Sequence, residues 1–233
     1  MESSVVLAIP VYNEGARVGA VLEAARGHVT GPVLVVDDGS TDDTADVVAG
    51  HPVEVVHHDG NRGYGAALRT AFRWAAERRI DWCITMDADR QHEPACIPRF
   101  LERLRPAVDI VSGSRYLDAG LARDEPPGDR RWVNQVVTEL VRAVTGYPIT
   151  DAFCGFRAYR VTVIERLALQ DPGYALPVEL WIKAAHCGLR VEEVSVPLIY
   201  HDYGKGVGAR PPRERLAQYL SVAAEVLRWT CSS

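Results

Sequence analysis

The chain has 233 residues, 47% of them hydrophobic, with 26 Lys and Arg against 31 Asp and Glu and a net charge of -5. That is enough apolar material for one substantial core, and the acidic balance argues against a nucleic-acid binder, which carries a basic face. No apolar run reaches the ~20 residues that span a bilayer, so any membrane contact is expected to be peripheral. Five cysteines without a C-x-x-C pair, and no signal peptide, point to reduced thiols and a cytoplasmic protein.

Taken in order, strand-like and helix-like segments alternate. Residues 5–11 are a continuous apolar run, predicting a buried strand that opens into Tyr12-Asn13-Glu14. Residues 15–29 follow as a helix, with Val18, Val21 and Leu22 on one face. A second buried strand at 33–36 ends in Asp37-Asp38-Gly39-Ser40, where Ser40-Thr41-Asp42 can cap the next helix. Residues 53–57 make a third strand, followed by Gly60-Asn61-Arg62-Gly63-Tyr64-Gly65 and a helix through Arg78. Strands are expected at 80–86 and 108–112. Residues 117–127, rich in Asp, Gly and Pro, predict a mobile loop that closes over a ligand. Residues 132–144 return to helical spacing, 189–200 alternate as a partly exposed strand, and 212–229 form a closing amphipathic helix. Strands separated by helix-length sequence give a mainly parallel, doubly wound sheet.

Three of these strands deliver acidic or polar residues at their carboxyl ends: Asn13 and Glu14, Asp37 and Asp38, then Asp87 and Asp89. A parallel sheet gathers such ends around one crevice, where open α/β folds bind ligands. Carboxylate and amide oxygens in Asp87-Ala88-Asp89-Arg90-Gln91 suit a hard cation, Mg²⁺ or Mn²⁺, shared with a diphosphate. Gly63, at a helix start, offers either a backbone N–H for phosphate or room for a close loop contact. No G-x-G-x-x-G at the first strand–helix turn and no G-x-x-x-x-G-K-[ST] is present, which disfavours dinucleotide and P-loop chemistry.

The segments AIPVYNEG, VVDDGSTDDT, NRGYGAALRTAF, MDADRQHEP, VSGSRY and TDAFCGFRAYR stand in this order and spacing. Together they resemble family 2 glycosyltransferases of the GT-A fold, and among those the dolichol- and polyprenol-phosphate sugar synthases, from about residue 5 to residue 200. The resemblance implies one domain over residues 1–233: a Rossmann-like, mainly parallel sheet flanked by helices. Its nucleotide-sugar half would cover about 1–115, with a smaller acceptor half over about 116–233. It implies that Asp87, Asp89 and Gln91 hold the metal on the donor diphosphate. Pro10, Tyr12, Glu14, Asp37 and Asp38 would grip base and ribose, with Gly63, Asp87 and Ala88 also against the nucleotide. Arg115 and either Arg130 or Arg131 would meet phosphates, where fixed positive charge stabilises a departing diphosphate.

On the acceptor side the synthases carry an Arg-x-Gly-x-Ser-Lys-like basic segment, and Tyr200-His201-Asp202-Tyr203-Gly204-Lys205-Gly206 lacks its Arg and Ser-Lys. The expectation is therefore an inverting, metal-dependent transfer from a nucleotide-diphosphate sugar to a hydroxyl acceptor. An alcohol needs a general base: Glu179, at a helix start, or Asp151, although Glu179 also fits a helix-dipole role. Two alternatives stay open. One is transfer to a polyprenyl phosphate at a membrane surface, and the other a catalytically inactive nucleotide-binding module.

Overall fold

The computed structural model describes residues 3–200 and 210–229. The expected alternation closes into a seven-stranded sheet of β1 (Val5–Val11), β2 (Val33–Asp37), β3 (Glu54–His57), β4 (Trp82–Thr85), β5 (Ile110–Ser114), β6 (Arg157–Arg160) and β7 (Val191–Ser195). Their order across the sheet is β3-β2-β1-β4-β6-β5-β7. All pairings are parallel except those of β6, which runs antiparallel between β4 and β5.

The continuous apolar runs of β1 and β2 make sense because both faces of the sheet are covered. Leu7, Ile9, Val33 and Val35 point into one core layer, under helices α1 (Gly15–Arg26) and α4 (Ile97–Leu101). Val6, Ala8, Leu34 and Val36 point into the other, under α3 (Tyr64–Glu77) and α7 (Leu176–His186). Full burial of each Val, Leu or Ile contributes about 1.5–3 kcal/mol. The strands are thus held by their own side chains, and the polar residues at their ends are free to serve another purpose. A third layer packs α5 (Gly128–Thr145), α7 and α8 (Pro212–Val226) around fully buried Trp181.

Three expectations need correction. The sheet gains β6, which hydropathy hides because Arg157 and Arg160 occupy its two ends. Arg157 is nonetheless buried: its Nε donates to Ser112 Oγ at 3.1 Å, its Nη2 to the Ala152 carbonyl at 2.7 Å, and its guanidinium lies 4.8 Å from the Trp181 ring centre. A charge with every neighbour arranged to receive it can be a core residue. The final strand is shorter than the alternation at 189–200 suggests, since pairing with β5 stops at Ser195. Cys187, just past α7, is disulfide-bonded, whereas Cys83, Cys96 and Cys154 are buried free thiols.

The segment 117–127 is more tied down than its composition implies. It contains a 3₁₀ turn at Ala119–Leu121, and Arg123 and Asp124 both donate backbone N–H groups to the Leu198 carbonyl, at 3.0 and 3.2 Å. Asp124 Oδ2 in turn accepts from Tyr200 N at 3.0 Å. The segment 201–208, in which the basic motif is missing, lies outside the described residues.

Candidate active site

The carboxyl ends of β1, β2 and β4 open into a crevice of about 630 Å³. From β1 come Pro10, Tyr12 and Glu14; after β2, Asp38; after β4, Asp87, Ala88, Asp89 and Gln91. Gly63 at the head of α3, Arg115 after β5 and Arg130 on α5 complete the expected set that lines it.

Asp87 is held from three sides. Its backbone N–H donates to His92 Nδ1 at 3.0 Å, and Tyr64 Oη donates to its Oδ1 at 3.0 Å. Gly155 closes the third side, brought near by the 2.7 Å bond from Thr85 Oγ1 to its carbonyl. A Cβ on Gly155 would lie 2.6 Å from Asp87 Oδ2 and 2.7 Å from Tyr64 Oη. Only a residue without a side chain lets the backbone come this close. Burial lowers the pKa of His92 to about 4, so the ring is neutral and its Nδ1 can accept from Asp87 N. Asp89 Oδ1 accepts from Gln91 N at 2.9 Å, across a turn in which Arg90 takes a left-handed φ of 65°.

Burial raises the pKa of Asp87 to about 6 and, with the charge of Asp87, raises that of Asp89. Two carboxyls that disfavour their own ionisation form a site that a divalent cation would relieve. Among the described residues no three His, Cys, Asp or Glu side chains form a complete cage. Asp87 and Asp89 are the residues that could hold such an ion, jointly with a ligand's diphosphate, as Mg²⁺ commonly is held.

Positive charge faces these carboxyls. Arg115 is fixed by Asp151, to which its Nε and Nη2 donate at 2.7 and 2.9 Å and its backbone N at 3.2 Å. Asn134 Nδ2 on α5 donates to the same carboxylate at 2.8 Å. Arg157 also lines the crevice, from the strand that hydropathy hid.

Several expected residues lie outside the crevice or are engaged otherwise than expected. Asp37 is buried outside the crevice lining, its carboxylate accepting from Ser40 N at 3.0 Å and contacting His57 Nδ1 at 3.1 Å. Asp38 reaches the crevice but spends its oxygens on Arg62 N, Gly63 N and His58. Gly63 therefore gives its N–H to Asp38, and its φ of 99° with a Cβ position 2.3 Å from the Pro172 carbonyl marks a close loop contact instead of a phosphate donor. Arg131 lies over the Tyr116 ring at 3.7 Å, leaving Arg130 as the member of that pair in the crevice.

Both candidate bases are sequestered. Asp151 is fully buried behind Arg115. Glu179 is 3% exposed; its carboxylate accepts from Gln170 N and Asp171 N at 2.7–3.0 Å and pairs with Lys183 at 2.7 Å. It ties the 170–173 loop to α7. A helix-start position is readable from sequence, but which way the carboxylate turns depends on that loop.

A model of glycosyl transferase family 2 matches residues 6–168. The chain belongs to that family. This family 2 glycosyltransferase is similar to the undecaprenyl-phosphate mannosyltransferase of Micrococcus luteus, 34% identical over 206 residues, 84% of each chain. It is also similar to the polyprenol monophosphomannose synthase of Mycolicibacterium smegmatis, 34% identical over 208 residues, 84% of this chain and 77% of that one. In fold it resembles glucosyl-3-phosphoglycerate synthase from Mycobacterium tuberculosis, solved with Mn²⁺, UDP and glucosyl-3-phosphoglycerate. That likeness has a TM-score of 0.74 at 20% identity, over 97% of this chain and 80% of that one. The protein is a glycosyltransferase of α/β GT-A architecture.

Tyr64, Gly155 and Arg157 around Asp87 were visible in the motif strings NRGYGAALRTAF and TDAFCGFRAYR, yet nothing in the strings says that the two motifs touch. Gly155→Ala tests the contact. The atoms nearest the added methyl are the ends of two side chains, so the melting temperature is expected to move by a few degrees at most. Turnover is expected to fall about 10²-fold, the usual cost of displacing the geometry of an active site by about an ångström. Undiminished turnover would show that Asp87 tolerates displacement.

Proposed function

We propose that the protein transfers a sugar, with inversion, from a nucleoside-diphosphate sugar to a polyprenyl phosphate at a membrane surface. The observation that carries this reading is the crevice itself, whose lining brings Asp87 and Asp89 together with Arg115, Arg157 and Arg130. Such a site matches a donor diphosphate bound through a shared Mg²⁺ or Mn²⁺.

The burial of the two candidate bases supports a phosphate acceptor. A hydroxyl acceptor would need a base, and Glu179 and Asp151 are both buried in internal bonds. A phosphomonoester has a second pKa near 6, roughly, and is already largely ionised at neutral pH. Its oxygen attacks the anomeric carbon, the bond from that carbon to the donor diphosphate breaks, and the electron pair leaves with the nucleoside diphosphate. Arg115 stabilises the charge that accumulates on this leaving group, and Asp151 keeps the guanidinium aimed. When bound, the cation supplies further neutralisation of the diphosphate. The names of the M. luteus and M. smegmatis relatives support a polyprenyl-phosphate acceptor over the hydroxyl acceptor expected above.

No helix among the described residues is long and apolar enough to cross a membrane, so a lipid acceptor would be met at the surface. Exposed Trp132 on α5 and Leu220 on α8 provide apolar area for that contact. The deciding measurement is radiolabelled transfer from a panel of nucleotide sugars to a short-chain polyprenyl phosphate and to the matching free alcohol. Transfer to the phosphate, dependent on Mg²⁺ or Mn²⁺, is expected. Transfer only to the alcohol would overturn the acceptor, and none to either would overturn the reaction.

A further inference from the structure

We propose that Arg215 of α8, together with Arg130 of α5, forms the subsite for the acceptor's phosphate, with Asp129 as a stand-in that holds Arg215 until the phosphate arrives. Calling the ligand an acceptor rests on the reaction proposed above; the anion subsite itself rests on geometry.

Arg215 lines the crevice, yet the residue is only 3% exposed. A buried guanidinium is costly unless its donors are used. One nitrogen, Nη2, pairs with Asp129. The Nε, also buried, has no hydrogen-bond partner among the described residues. Arg130, adjacent to Asp129 in the chain, lines the same crevice with its guanidinium 5.0 Å from the Tyr200 ring centre. The Arg215 guanidinium is thus partnered by a carboxylate that is itself 43% exposed, and Arg130 lines the crevice beside it in the chain.

A phosphomonoester completes this arrangement. It brings close to two negative charges and three acceptor oxygens, and guanidinium forks donate to such oxygens bidentately. Arg215 lies beyond residue 168, where the family model ends.

The pair makes a signed prediction that a purely structural ion pair does not. Arg215→Gln should weaken phosphate binding, whereas Asp129→Asn should strengthen it by removing the competitor. Calorimetric titration of the full chain with a short-chain prenyl phosphate, with glycerol phosphate and with the free prenol decides the matter, using UDP and GDP as controls for the donor site. Arg215→Gln is expected to weaken prenyl phosphate binding about tenfold or more, the scale of a lost charge-assisted bond. Asp129→Asn is expected to tighten it several-fold, and both variants should leave nucleoside diphosphate affinity within about twofold. The subsite is overturned if wild type binds neither phosphate, if Arg215→Gln binds as wild type does, or if Asp129→Asn weakens binding. Should Arg215→Gln fail to fold, the sign of the Asp129→Asn effect alone decides. A response to glycerol phosphate only keeps the subsite and removes the lipid acceptor. Arg215-dependent binding of prenyl phosphate without sugar transfer keeps the subsite and removes the reaction.

Discussion

Asp89→Ala is expected to abolish sugar transfer in a protein that remains folded. The side chain accepts one hydrogen bond, from Gln91 N, and it crowds a second carboxyl in a place where burial and Asp87 already raise its pKa. Removing it relieves a carboxyl whose charge is already disfavoured where it stands, so the fold is expected to lose little. On the function proposed above, the cost falls on the diphosphate site. A divalent cation contributes several kcal/mol to stabilising a charged leaving group, and each 1.36 kcal/mol, roughly, is tenfold in rate. A loss of at least about 10³-fold follows. The companion measurement is thermal: Mn²⁺ with nucleoside diphosphate should raise the melting temperature of the wild type, because ligands that bind only the native state stabilise it. The variant should show no such rise. Full turnover in Asp89→Ala, or in excess chelator, would remove the metal from this protein's chemistry.

Asp151→Asn is expected to damage stability and activity together. The wild-type carboxylate accepts from Arg115, Asn134 and Phe153 N. An amide in its place leaves the Arg115 guanidinium buried without a counter-charge, a change that typically costs about 3–5 kcal/mol. It also releases the cation that faces Asp87. Acid titration gives this prediction a sign. Burial by itself would raise the pKa of Asp151, but Arg115 and Asn134 override it and hold the carboxyl well below the usual range. A depressed carboxyl stabilises the fold fully above its unfolded value of about 3.9 and loses that contribution as pH falls toward the lower folded value. The stability gap between wild type and Asp151→Asn should thus be widest near neutrality and narrow below about pH 4. A gap that stays constant with pH would mean that the charge of Asp151 is not what holds Arg115.

What could be read from the chain and what could not divide along physical lines. β1, β2 and β4 were legible because both faces of each strand are buried, so hydropathy alone marks them, and the acids at their ends stand out by contrast. The placement of Asp87 and Asp89 in the crevice was legible for the same reason, since it follows from the end of β4. β6 was not legible, because Arg157 reads as surface until Ser112, the Ala152 carbonyl and the Trp181 ring are seen around it. Glu179 shows the opposite error. Its position at a helix start is a local fact, but its commitment to Gln170, Asp171 and Lys183 is a packing fact. The sequence by itself determined the layered sheet, the crevice at its carboxyl edge and the acidic pair within it, because periodicity and strand ends are local properties. Only the tertiary structure decided which carboxylates are free for a ligand, which arginines face them, and that Gly155 and Arg215 reach the same crevice from distant parts of the chain. Hydrogen-bond partners and close approaches are set by elements meeting in space, and spacing along the chain does not record them.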